Sequence, residues 1–312
     1  MASFSASDAA FAGFAFVRRK PRAVAIWAIV LLVVSMGFSA LVLSQFGPLL
    51  DRLATVPPET LQDPVKAVAI YRQLLPVEGD AFLFALVFYP IVFSAMNRAV
   101  LRPAESRFGY LRLGGDELRQ LGLMVSFIVL GIGAIFVVTI GVTILSVIVG
   151  LLTHVASNND GLTLLSVVAV YLIMLGLVVT VGVRLSLASA QTFATRRIDI
   201  FGSWALTKDR FWPIFGAYVL ATILAIIVVL LGYVILVAVM AMTGGVGQLV
   251  NVAAPGHSPQ AYSLGQMFSA PHIIRSMLVA ALGAITWPVV MLPAPTIYQS
   301  IVGDGGAPAD VV

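Results

Sequence analysis

Six stretches of the chain, residues 23–46, 81–97, 122–152, 162–183, 211–242 and 276–302, contain no Asp, Glu, Lys or Arg. About 20 predominantly apolar residues carry a helix across the hydrocarbon of a bilayer, where no water can satisfy backbone N–H and C=O groups. The pattern therefore predicts an all-α polytopic membrane protein with six transmembrane helices. The third and fifth stretches, 31 and 32 residues long, exceed the bilayer requirement and are expected to tilt or to project beyond it. Pro90 in the second stretch and Pro288 in the sixth are candidate kinks, because each removes a ladder hydrogen bond. Ala217, Ala221 and Ala225 recur every four residues in the fifth stretch, as do Ser276, Ala280 and Ala284 in the sixth. Small residues on one face let helix backbones approach, so these rows are candidate packing seams.

Shorter elements lie between the spans. Pro58, Glu59 and Thr60 suit a helix start, and Leu61, Val65, Val68 and Leu75 share one face, which predicts a short amphipathic helix over 57–76 on the outer surface. Residues 243–272, rich in Gly, Asn and Pro, predict an irregular loop, and 303–312 a disordered cytoplasmic tail. The segments before the odd-numbered spans align without gaps. Phe11-Ala12-Gly13-Phe14-Ala15-Phe16 matches Phe108-Gly109-Tyr110-Leu111-Arg112-Leu113, and both match Phe201-Gly202-Ser203-Trp204-Ala205-Leu206. Charged residues follow each copy, and then a long apolar helix. Residues 1–302 thus read as one six-helix domain built from three helix-pair repeats, about 4–101, 104–190 and 196–302. Each repeat is expected to open with a cytoplasmic amphipathic helix. Because every unit spans the membrane twice, the three copies run parallel.

Charge then sets the orientation. With the N-terminus inside, 14 of the 18 Lys and Arg fall in inner segments and 4 outside, an asymmetry that places both termini in the cytoplasm. The first stretch is longer than a signal-peptide core and is read as a retained helix. Sixty per cent of residues are hydrophobic and ten per cent charged, with mean hydropathy +1.03. A soluble domain would carry about a quarter charged residues. The pI near 9.6 is assigned to loop cations that meet lipid phosphate, and not to nucleic acid. In the repeated segments Phe11, Phe14, Tyr110, Arg112, Trp204, Lys208, Arg210, Phe211 and Trp212 are the candidate interfacial, lipid-contacting residues.

The stretch Ser203-Trp204-Ala205-Leu206-Thr207-Lys208-Asp209-Arg210-Phe211-Trp212 resembles a loose family of bacterial membrane proteins. That family takes in the membrane domain attached to some glycerophosphoryl diester phosphodiesterases and stand-alone proteins of the YciC type. The copy at Phe108–Arg119 resembles the corresponding element in such proteins. The resemblance implies a six-helix module of a bacterial cytoplasmic (inner) membrane; no catalytic phosphodiesterase domain is present, so no active-site residue carries over.

The search for chemistry returns little. The chain has no cysteine, which excludes disulfides and thiol chemistry. His154, His257 and His272 lack metal-ligand spacing and read as outer loop residues. Asp116, Glu117 and Asp209 stand among Arg112, Arg119, Lys208 and Arg210, where salt pairing is the expected role. Ion-coupled carriers place ionisable groups at mid-membrane, and these spans hold no acidic residue. No catalytic, cofactor-binding or metal residue is assigned. The expected function is that of a non-catalytic membrane module in contact with lipid or a membrane-protein partner. A lipid-translocating or other transporter and, last, an intramembrane enzyme are the alternatives.

Overall fold

The computed structural model describes residues 5–157, 159–244 and 264–303. Among these the secondary structure is helical, with no strand. Six helices are long and apolar enough to cross a membrane. In chain order the elements are α1 (Ala6–Arg19), α2 (Pro21–Ala54), a 3-10 turn (Pro58–Gln62), α3 (Pro64–Leu101), a second 3-10 turn (Arg107–Tyr110), α4 (Gly115–Ser157) and α5 (Asp160–Leu185). Then come α6 (Ala188–Thr195), α7 (Gly202–Leu206), α8 (Phe211–Gly244), the single turn α9 (Leu264–Met267), α10 (Ala270–Met291) and α11 (Pro293–Val302).

Local chemistry sets several boundaries. The Ser5 hydroxyl accepts the Asp8 amide and starts α1. Lys20, non-helical and followed by Pro21, separates α1 from α2. The Asp63 carboxylate accepts the Val65 amide at 3.0 Å and caps α3, which has Pro64 at its first position. The Asn159 side chain caps α5 in the same way, through Gly161 and Leu162.

Two elements differ from the sequence expectation. No separate surface helix occupies 57–76: from Pro64 the chain enters α3 and stays helical for 38 residues, about 57 Å, through Pro76 and Pro90 to Leu101. The Asp63 cap makes one continuous helix the simpler solution. The sixth apolar stretch is divided, and its boundary falls at Leu292, between Pro288 inside α10 and Pro293 opening α11. The irregular loop expected over 243–272 and the tail expected over 303–312 lie mostly outside the described residues.

Burial is concentrated at one end of the bundle. The odd spans α2, α4 and α8 bury residues near their N-termini, among them Trp27, Leu123 and Ile214. The even spans α3, α5 and α10 bury theirs mainly near their C-termini, among them Met96, Val183 and Val289. These ends meet with α1, α6, α7 and α11 to form a closed base. Away from it the helices expose Ile, Leu and Val, and the most apolar windows of α2, α4, α5 and α8 are only 6% buried. The windows of the second and sixth spans are 28% and 33% buried, which makes α3 and α10 the centre.

The alanine rows act as seams. Ala217, Ala221, Ala225, Ala280 and Ala284 are all buried and α8 packs on α10, with Ala217 clustering with Ala9, Val183 and Ile297 and Ala284 with Ala23, Trp27 and Val92. In α1 the buried residues are Ala9, Ala10 and Gly13. A Cβ at Gly13 would collide with the backbone of Pro288 and Val289, so α1 rests directly on α10.

Candidate functional site

The three aligned segments take three conformations. The first forms part of α1, the third becomes the five-residue α7, and the middle one is not an α-helix. Phe108, Gly109 and Tyr110 all have positive φ, at 49°, 62° and 70°. This left-handed elbow turns two successive carbonyls into the base. The Gly109 carbonyl accepts the Trp27 indole N–H at 2.6 Å, and the Tyr110 carbonyl accepts Arg98 Nη1. Glycine is required at 109 because the space beside it is filled by Trp27 and a side chain at that φ is strained.

Arg98, at the end of α3, is the centre of the base, with 1% of its surface exposed. Its Nη2 donates to Glu117 Oε1 of α4 at 2.7 Å, and Nε lies 3.5 Å from Glu105. One turn later Arg102 Nη1 donates to Asp116 Oδ2 at 3.0 Å, and Nη2 to the Phe193 carbonyl of α6. Arg119 closes on Asp116 Oδ1 at 2.6 Å. The Phe193 ring lies beneath both guanidinium groups, 5.5 Å from Arg98 and 4.5 Å from Arg102. Ser189 of α6 ties the same helices together, taking Asn97 Nδ2 at 2.9 Å and exchanging hydrogen bonds with the Gln120 amide.

A second clamp joins α5 to α7. The Arg184 carbonyl accepts the Ser203 hydroxyl at 2.8 Å, and its guanidinium donates to the Thr207 carbonyl at 2.6 Å. Ser203 and Thr207 are fully buried, so these two polar residues of the tryptophan-containing segment hold a helix end. Trp204 lies over the Arg184 guanidinium at 5.8 Å with 44% of its own surface exposed.

The candidate interfacial residues divide. Phe11, Trp204 and Trp212 are exposed at 47%, 44% and 74%, and Lys208 is exposed as well. Phe14, Arg210 and Phe211 are half-buried; the Phe14 ring lies 6.2 Å from Phe11, Arg210 reaches the Leu206 carbonyl, and Phe211 stacks on Phe215 at 5.8 Å. Arg112 pairs with Glu105 at 3.0 Å. Tyr110 corrects the expectation: it is 1% exposed, because the elbow turns it inward and presents Phe108 and Leu113, exposed at 81% and 82%, in its place. Pro90 and Pro288, the candidate kinks, are both buried inside their helices. Asp116 and Glu117 are salt-paired as expected, though Glu117 is buried. In the sequence Arg98 is only one of the 14 inner cations. The available signal was Arg98 and Arg102, one helical turn apart, followed by the adjacent carboxylates of Asp116 and Glu117.

Chemically, this arrangement is a lock. Each carboxylate of the base network faces a guanidinium, and Glu105, Asp116 and Glu117 have their charges neutralised within it. No group of three His, Cys, Asp or Glu that could hold a metal ion occurs among the described residues. His154 lies 3.6 Å from Asp160 at the opposite end, and His257 is outside the described residues. Two clefts open between the spans. One of about 490 Å³ lies between α5 and α8, lined by Gly182, Phe215 and Thr222. The other, about 500 Å³, lies between α2 and α10, lined by Phe38, His272 and Arg275. No family model, no curated protein and no solved structure matches this chain.

Proposed function

We propose that the chain is a non-catalytic multi-pass module that contacts lipid in a bacterial cytoplasmic membrane, with its base and both termini on the cytoplasmic side. One observation carries this reading: arginines inside the base are paired, whereas cations around it are exposed beside aromatic side chains. Arg18, Arg19, Lys20, Arg107, Arg196, Arg197 and Lys208 are exposed. Phe11, Phe108, Phe201, Trp204 and Trp212 are exposed at the same end. Aromatic rings favour the headgroup layer, and clustered cations attract anionic headgroups at about 1 kcal/mol each near the surface. The 14-to-4 distribution of Lys and Arg supports a cytoplasmic base. Descent from a parallel repeat rests on the alignment of the segments at 11–16, 108–113 and 201–206, and the resemblance to YciC-type proteins is part of the same reading.

The test is lipid retention. Protein extracted in mild detergent is expected to carry anionic phospholipid, identified by mass spectrometry. A variant with Phe108→Ser, Trp204→Ser and Trp212→Gln is expected to lose at least about half of it while keeping its helical content. Equal retention in that variant would count against the proposal.

The cleft between α5 and α8 favours a second reading, in which a lipid enters sideways and is moved across the bilayer. Liposomes reconstituted with the protein and labelled phospholipid decide between the two. Transfer above the protein-free background selects the lipid-moving role, and its absence selects the static one.

A further inference from the structure

Arg275 has a setting unlike that of any other cation in the chain. It lies on α10 in the wall of the cleft of about 500 Å³ shared with α2. Facing it across the cleft are Ser35, Phe38, Ser39, Val42 and Leu43. All five belong to the charge-free stretch 23–46, so Arg275, itself exposed, faces an apolar wall. A charge beside hydrocarbon is costly unless it meets an opposite charge or reaches the interface.

Asp80 of α3 is one turn before Phe84, whose ring stacks on Phe38 of the cleft at 4.4 Å, but neither Asp80 nor Glu78 forms an ion pair with Arg275. Every ion pair of the described residues involves other cations. Residues 243–272, which lead into α10, contain no Asp or Glu. Asp51, the first carboxylate along α2, is eight residues beyond Leu43, about 12 Å of helix. The serines at 39 and 276 add hydroxyl donors, Ser35 donates to the Leu32 carbonyl, and Phe38, Val42, Leu43 and Val279 provide apolar wall.

We propose that this cleft is a binding site for one anionic phospholipid of the leaflet farther from the Arg98 base. Arg275 takes the phosphodiester, the hydroxyls of Ser39 and Ser276 donate to its oxygens, and an acyl chain lies against Phe38, Val42 and Val279. A guanidinium suits this role because its fork of donors matches phosphate oxygens. Apolar walls admit the acyl chain that a soluble anion lacks, which selects a lipid over free phosphate. The site deepens the lipid-contact reading, but it stands at the opposite end from the aromatic rim and can be tested apart from it.

Because the chain has no cysteine, Ser44→Cys, exposed and next to Leu43 but outside the lining, can carry a single environment-sensitive fluorophore beside the cleft in the full-length protein. Phosphatidylglycerol with brominated chains is expected to quench it at about one-fifth of the concentration needed for brominated phosphatidylcholine with the same chains. Arg275→Gln is expected to abolish that difference, and Arg275→Lys to keep most of it. The rim variant of Phe108, Trp204 and Trp212 is expected to leave it unchanged, so failure of the rim proposal and failure of this one are distinguishable. Three results would overturn the assignment: a preference for phosphatidylglycerol that survives Arg275→Gln, displacement of the quencher by soluble glycerol phosphate, or Ser44→Cys chains that cross-link to one another at dilution, which would show a second copy at the cleft.

Discussion

Arg98 holds a full charge in a place almost closed to solvent, and Glu117, the Tyr110 carbonyl and the Phe193 ring together make that tolerable. Deleting one partner of a buried pair strands the other charge, which costs about 3–5 kcal/mol, whereas replacing both by apolar groups is often neutral. Glu117→Ala is therefore expected to lower stability in detergent by about that amount, read from denaturant or thermal unfolding. Arg98→Met combined with Glu117→Leu is expected to recover most of the loss. A double variant as unstable as the single one would show that the hydrogen bond to the Tyr110 carbonyl carries the site. In the sequence Arg98 is merely the first charge after an apolar stretch. Its partner lies 19 residues away, and only the left-handed elbow brings the two together.

At the scale of elements, the aligned segments show how similar residues serve different structures. Gly13 allows α1 to press on the backbone of α10, whereas Gly109 supplies a positive φ. Gly202 sits against Gln191 and Asp199, whose carboxylate accepts its amide at 2.7 Å. Gly13→Leu is expected to lift α1 from α10. With a single cysteine placed at the buried Ala9, the wild-type background should react slowly with a maleimide, and the Gly13→Leu background at least about tenfold faster, as local opening exposes the site. Equal rates would mean that α1 can shift without undocking. Amphipathic composition was legible in α1; its docking was not, because a face of Ala9, Ala10 and Gly13 looks too small to be a contact surface until a second backbone fills it.

Across the whole molecule, packing is dense at the base and sparse beyond it, so lipid has to complete the surface of the far halves. Heat or harsh detergent should then separate two behaviours. Amide exchange is expected to be slowest around Arg98, Phe193 and Ile297, and faster in the distal turns of α4 and α8 even though those turns are the more hydrophobic. Uniform protection along α4 would argue against a base-centred stability. Orientation is checked separately: reporters placed at Asn159 and in 102–114 are expected to fall on opposite sides of the membrane, the second in the cytoplasm.

The amino-acid order alone determined the class of this protein. Charge-free runs of about 20 residues or more can satisfy their backbones within the run itself only as helix, and arginine-rich turns favour one side. It also announced the alanine seams, because backbone approach depends only on the size of a side chain and its period. Tertiary structure decided the rest: which arginines are paired and which are exposed, that Tyr110 turns inward while Phe108 turns out, and that Arg275 faces apolar α2. Those outcomes depend on distances between residues far apart in the chain, and a carboxylate neutralises a guanidinium only when the fold sets them within about 3 Å.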